Sequence, residues 1–289
     1  MNRYRVPNNN LESDMPNLSL IKPVKVIAVT AGKGGVGKSN VAINLAIGLA
    51  QCKKNVMLLD ADLGLGNLDI LLGLYPKYNL SHVIKGQCTL NDIILQGPYG
   101  ISVIPASSGA DFMTQLLPSE LAGIVDSFNE LTEDLDYMII DTAAGISDTV
   151  LSFARSSQEL IVILCDEPTS LADAYALITV MRKRYEVMHY HILVNMVRNP
   201  KEGRELFNSL FKVSEQFLDV HLDYLGAIPF DEQVHRAVKK QQSVLTAYPD
   251  SYAAEAFRQI TNKVMSWPTQ AFLGGNTSFF LQRLATGEF

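Results

Sequence analysis

Seven short apolar runs punctuate the chain, at residues 24–30, 55–60, 101–104, 136–141, 160–165, 191–195 and 224–228. Most lack polar alternation, which is the pattern of strands covered on both faces. Segments with helical spacing lie between several of them; Leu206, Phe207, Leu210, Phe211, Phe217 and Leu218 mark one such apolar face. Alternating strands and helices predict an α/β fold, a mostly parallel twisted sheet with helices on both faces. No linker interrupts residues 21–268, so a single domain is expected there, with Trp267-Pro268 ending its last helix. Residues 1–20 are polar, carry Asn8-Asn9-Asn10 and read as a flexible tail. Residues 269–289 read as a second tail, in which Gly274-Gly275 precedes SFFLQRL.

Composition narrows the setting. The 289 residues are 47% hydrophobic and 19% charged, enough apolar material for a large core. A net charge of −6 and a pI near 5.4 do not favour a nucleic-acid backbone, so no specific DNA binding is expected. No run of about 18 apolar residues is present to span a bilayer, and the N-terminus lacks the apolar stretch of a signal peptide. A cytoplasmic protein is expected. Cys52, Cys88 and Cys165 are far apart, form no C-x-x-C pair and read as ordinary buried thiols. The five histidines, His189 and His191 among them, show no metal-ligand spacing matched by other ligands and read as structural.

The chemistry begins at residues 32–39, GKGGVGKS, a complete G-x-x-x-x-G-K-[ST] match. KVIAVT precedes it as a strand and SNVAINLAIGLA follows it as a helix. Gly32, Gly34, Gly35 and Gly37 let the backbone curl its N–H groups towards phosphate oxygens. The helix N-terminus adds a favourable dipole. The pattern predicts the phosphate loop of a P-loop NTPase. Lys38 is expected on the β- and γ-phosphates, and the Ser39 hydroxyl on Mg²⁺. A second lysine, Lys33, lies inside the loop; it is either a solvated side chain or an added charge near the phosphates, from its own subunit or a partner.

Two acidic strand ends complete the set. LLDADLGLGNLD, residues 58–69, delivers Asp60 and Asp62 to the carboxyl end of a strand, where open α/β sheets place ligands. Both fall on one side if the strand continues that far. Either can hold a Mg²⁺ water or orient the attacking water, and turn capping is the plainer alternative. YMIIDT, residues 137–142, resembles a Walker B strand whose Asp141 would serve Mg²⁺. Gly145 follows, in a segment able to act as a switch loop.

GKGGVGKS resembles the deviant Walker A motif of the MinD/ParA ATPases, with Lys33 at the place of that family's signature lysine. LLDADLGLGNLDILLGL, DTAAGISDTVLSF, CDEPTSLADAYALI and IPFDEQVHRAVKKQ are similar to the FleN/FlhG flagellar-number regulators. The resemblance implies an ATP-dependent homodimer hydrolysing ATP with Mg²⁺. Gly32 to Asn40, including Val36, would cradle the nucleotide, and Lys33 would reach it from the opposite subunit. Asp60 and Asp62 would lie in switch I, with Asp62 positioning the hydrolytic water. Ser39, Asp60 and Asp141 would serve the metal. Asn195 would contact adenine, and the Pro229-Phe230-Asp231 turn would line the base. Ser39 departs from the family's usual threonine but keeps the hydroxyl.

The resemblance also implies a regulator of flagellar number or placement. Its partner would be a σ54-dependent transcription activator of the FleQ type, an FlhF-type GTPase or flagellar switch proteins. A DQAxxLR-like element is not found in residues 1–23, which tilts the reading towards the activator. A DNA-segregation ATPase of the ParA class and a MinD-like division-site regulator remain as alternatives. Phe279, Phe280, Leu281 and Leu284 have partial helical spacing. A peripheral membrane contact at the inner membrane or cell pole and packing back on the body stay open for them. Arg182-Lys183-Arg184 reads as the dipole-complementing end of a helix.

Overall fold

The computed structural model describes residues 24–62, 66–106 and 134–268. The expected tails, with the apolar cluster Phe279 to Leu284, lie outside the described residues. Eight strands form one sheet in the order β3-β4-β2-β5-β1-β6-β7-β8. They are β1 Lys25–Ala31, β2 Val56–Ala61, β3 Leu95–Gln96, β4 Ser102–Ile104, β5 Tyr137–Ala144, β6 Glu159–Cys165, β7 His189–Val197 and β8 His221–Pro229. All pair in parallel except β3, which runs antiparallel to β4 at the edge. Each of the seven apolar runs is a strand; β3, two residues long, is too short to leave a pattern.

The sheet separates two cores, and each strand feeds both by alternation. Val26 and Ala28 of β1, Met57 and Leu59 of β2, and Met138 and Ile140 of β5 enter one core. Ile27 and Val29, Val56 and Leu58, and Tyr137 and Ile139 enter the other. This double burial is why the runs are continuously apolar.

Nine α-helices are described. They are α1 Lys38–Gln51, α2 Leu68–Leu72, α3 Leu80–Ile84, α4 Asp148–Ser156, α5 Pro168–Tyr185, α6 Pro200–Phe217, α7 Glu232–Lys239, α8 Val244–Ala247 and α9 Tyr252–Ser266. Helices α4, α5 and α6 cover the first core, and α1 and α9 the second. α1 and α9 pack so closely that a Cβ on Gly48 would lie 2.3 Å from the Thr261 hydroxyl.

Two expectations need correction. Phe217, the last residue of α6, is 64% exposed, and Leu218 at the C-cap takes the core position instead. Cys52 is exposed just past the end of α1, while Cys165 is buried. Arg182, Lys183 and Arg184 do occupy the last turn of α5. Among the described residues, no helix is long and apolar enough to cross a membrane.

Candidate nucleotide site

The loop between β1 and α1 is built by its glycines. Gly35 and Gly37 have φ of 81° and 90°, the left-handed region where a side chain is strained. A Cβ on Gly32 would lie 2.2 Å from the Asp173 carbonyl oxygen of α5, so the loop is pressed against that helix. Gly37 occupies the N-cap of α1 and supplies no side-chain cap. Helices α4, α6 and α9 are instead capped by Ser147, Asn199 and Ser251. The first turn of α1 also carries no acidic residue. Its amides are therefore left for an external anion.

Lys38 is buried at the start of α1, and Asp141, within the C-terminal half of β5, is 2% exposed. Asp60 is paired with Asp141 in the β2–β5 ladder, so the two carboxylates meet at the same level of the sheet. Burial pushes Asp141 up to about 7, with Asp60 and Asp62 adding repulsion. The Ser39 hydroxyl and the Lys38 charge oppose that rise. Burial likewise pushes Asp60 up to about 6.

The two acids have different surroundings. Asp60 accepts the amide of Asp62 on one oxygen and that of Leu68 on the other, both at 3.1 Å. It thus pins both ends of the loop leading to α2. Asp141 keeps Oδ1 buried with no hydrogen-bond partner. A buried carboxylate oxygen without a donor, beside a serine hydroxyl, fits an oxygen-seeking cation such as Mg²⁺. The donor geometry thus favours Asp141 over Asp60 for that role. β2 ends at Ala61, so Asp62 lies just beyond the strand, half-buried.

Lys33 points away from this carboxylate cluster. Its ammonium pairs with Glu167 and donates to the Thr169 hydroxyl at 2.9 Å. The hydrogen bond to Glu167 is the main cause that raises its pKa. Glu167 and Thr169 lie at the start of α5, and sequence reasoning did not single them out. Their segment, CDEPTSLADAYALI, was the signal available.

Beside the loop lies a cavity of about 270 Å³ bordered by Gly37, Asn195, Pro229 and Asp231. It brings the base-contact candidates to one place next to the phosphate loop. Asn195 Nδ2 donates to the Val36 carbonyl at 2.8 Å, tying β7 to the loop. Asp231 caps α7 through Gln233 and holds the Ala253 amide at 3.1 Å, so its carboxylate is committed to the backbone. Met196 and Phe257 also line the cavity. Neither was legible, because one reads as strand and the other as helix core.

Residues 22–265 match the family model described as ParA, NUBPL iron-transfer P-loop NTPase. The chain is 50% identical over 278 residues to the antiactivator FleN of Pseudomonas aeruginosa, covering 95% of this chain and 99% of that protein. It is 34% identical over 270 residues to the flagellum site-determining protein YlxH of Helicobacter pylori, covering 89% and 91%. The structure of MinD complexed with Mg-ADP from Pyrococcus horikoshii matches with a TM-score of 0.67 at 22% identity, covering 84% of this chain and 96% of that one. That last likeness speaks to the fold. Matches of this length, over a phosphate loop seated between its strand and helix, mean that the chain belongs to the ParA/MinD family of P-loop NTPases.

Proposed function

We propose that this protein is an ATP-controlled dimerisation switch that regulates flagellar number. Members of its family bind nucleotide and are ATPases. Near full-length similarity to an antiactivator supports an output by protein contact, restraining a flagellar transcription activator of the FleQ type. The observation that carries the switch is the placement of Lys33. It sits at the surface on Glu167 rather than among the buried carboxylates, so it can cross to a nucleotide held by a second copy.

In this reading the loop amides and Lys38 hold the phosphates of ATP. Ser39 and Asp141 would hold Mg²⁺, with Asp60 nearby; the bound cation neutralises phosphate charge. Asp62 orients a water for attack on the γ-phosphorus, and ADP leaves. Lys33 of each copy adds charge to the other's phosphates, so the γ-phosphate becomes part of the interface. Asn195 and the Pro229-Phe230-Asp231 turn border the base.

Light scattering with ATP tests the switch. Asp62→Ala should accumulate as an ATP-bound dimer with little turnover, whereas Lys33→Ala should bind ATP yet stay monomeric. Dimerisation by Lys33→Ala equal to wild type would refute the trans-acting lysine. Deletion in the native host should change the number of flagella per cell, and an unchanged count would remove the flagellar role.

A further inference from the structure

The opposite end of the sheet holds a second chemical cluster. Strands β6, β7 and β8 begin with Glu159, with His189 and His191, and with His221 and Asp223. The ladder pairs His189 with His221 and His191 with Asp223. Residues two apart on a strand share a face, so all four side chains emerge on the same side of the sheet. Glu159 joins them from β6, on the side that contributes Ile161 and Ile163 to the α1–α9 core. The spacing is His-x-His on one strand and His-x-Asp on its neighbour. Neither half is matched by further ligands nearby in sequence, which is why the histidines read as structural. Parallel pairing in register supplies the missing proximity.

The distances define an outer group and an inner support. His189 Nε2 lies 2.8 Å from Asp223 Oδ2, and His221 Nε2 lies 3.1 Å from Asp223 Oδ1. The ligand atoms of these three residues all fall within 4.8 Å of one another. Tetrahedral zinc bonds of about 2.0–2.2 Å place neighbouring ligand atoms roughly 3.4 Å apart. The observed contacts are a few tenths of an ångström shorter, so side-chain rotation alone would admit an ion. The three side chains are 44%, 71% and 48% exposed, which leaves an entry path. Behind them His191 is buried, bonded to Glu159 at 2.9 Å and stacked on Trp267 with ring centroids 3.9 Å apart. Its Nδ1 lies 3.8 Å from Asp223, on the protein side of the group.

We propose that His189, His221 and Asp223 form a binding site for a divalent transition cation of the zinc class, with water completing the coordination. Two imidazole nitrogens and one carboxylate oxygen suit Zn²⁺ better than Mg²⁺, which prefers an all-oxygen shell. The His189 ring centroid lies 4.6 Å from that of His191 and 5.1 Å from that of His221. One bound cation would tie edge strand β8 to β7. It would act independently of the nucleotide site, since the phosphate loop lies at the other ends of the strands.

The chain's single tryptophan is a built-in reporter, because Trp267 stacks on His191. Full-length protein, stripped with EDTA and free of nucleotide, is titrated with Zn²⁺ and, in parallel, with paramagnetic Co²⁺. Bound metal is counted by equilibrium dialysis. One equivalent of Zn²⁺ is expected, with Co²⁺ quenching Trp267. His221→Gln, and His189→Asn with His221→Gln together, should weaken binding at least 10-fold while ATP binding stays unchanged. His221→Gln alone alters a largely exposed side chain, so folding does not confound it. No stoichiometric Zn²⁺ binding would overturn the proposal. So would binding that survives both histidine variants, or that disappears on Cys52→Ser and so belongs to the exposed thiol.

Discussion

Asp141→Asn keeps the shape of this β5 side chain and removes its charge. In the ligand-free protein the carboxyl is raised from 3.8 to about 7 by burial. The unfolded chain ionises it near the ordinary value, so between those two pH values the unfolded state loses a proton that the folded state keeps. Stability contributed at this site is intact below about pH 4 and falls as pH rises towards 7. A shift from 3.8 to about 7, at about 1.4 kcal/mol per unit, bounds the loss at roughly 4 kcal/mol. Relaxation around Ser39 and Lys38 should reduce it to on the order of 2 kcal/mol. Asparagine carries no such term. The variant should therefore melt close to wild type at pH 4 and roughly 4–8 °C above it at pH 8, using about 2–4 °C per kcal/mol for a domain of this size. Differential scanning calorimetry without nucleotide at the two pH values gives the comparison. Adding Mg²⁺ and ATP should invert it, because wild type gains a cation ligand that the variant lacks. A variant-minus-wild-type difference that does not change between pH 4 and pH 8 would refute the argument that Asp141 is held uncomfortably by burial.

Lys38→Ala should weaken ATP binding by an amount equivalent to about 2–5 kcal/mol, since the proposed reading sets this buried charge against the phosphates; calorimetric affinity equal to wild type would remove the phosphate-loop assignment. Gly48→Val should destabilise the fold by about 1–3 kcal/mol in urea unfolding, because its side chain must displace Thr261 at the α1–α9 contact. Removing residues 276–289 should abolish any ATP-dependent sedimentation with anionic liposomes if Phe279, Phe280 and Leu284 enter the bilayer interface. Equal sedimentation with and without them would assign that segment to packing on the body.

Much of this architecture can be read from the chain because burial on both faces leaves a strong mark. β1, β2, β5, β6 and β7 each carry an unbroken apolar run bounded by polar residues, so their existence follows from the pattern alone. The phosphate loop is equally legible, because glycine spacing and the lysine encode a backbone shape directly. Pairwise meetings are harder to read. Asp60 and Asp141 are 81 residues apart in number, and their equal level comes from the β2–β5 register. Glu167 looks like an ordinary residue before Pro168, and only the press of Gly32 on α5 brings it to Lys33. His189 and His221 carry no sequence signal of proximity at all. Phe217 shows the reverse error, since helical spacing places it on the apolar face, while its neighbour Leu218 is the residue that reaches the core.

The alternation of β2 and β5 between two cores has a consequence for how this chain can change. A one-residue deletion inside β2 would send Met57 and Leu59 to the side now filled by Val56 and Leu58. The same deletion would carry Asp60 out of step with Asp141. Packing and carboxylate geometry are thus written in a single register, and an insertion or deletion there damages both at once. Length variation can persist only where the chain leaves the ladder. Divergence of function within such a framework must proceed by substitution along the strands and by lengthening or shortening of the segments between them.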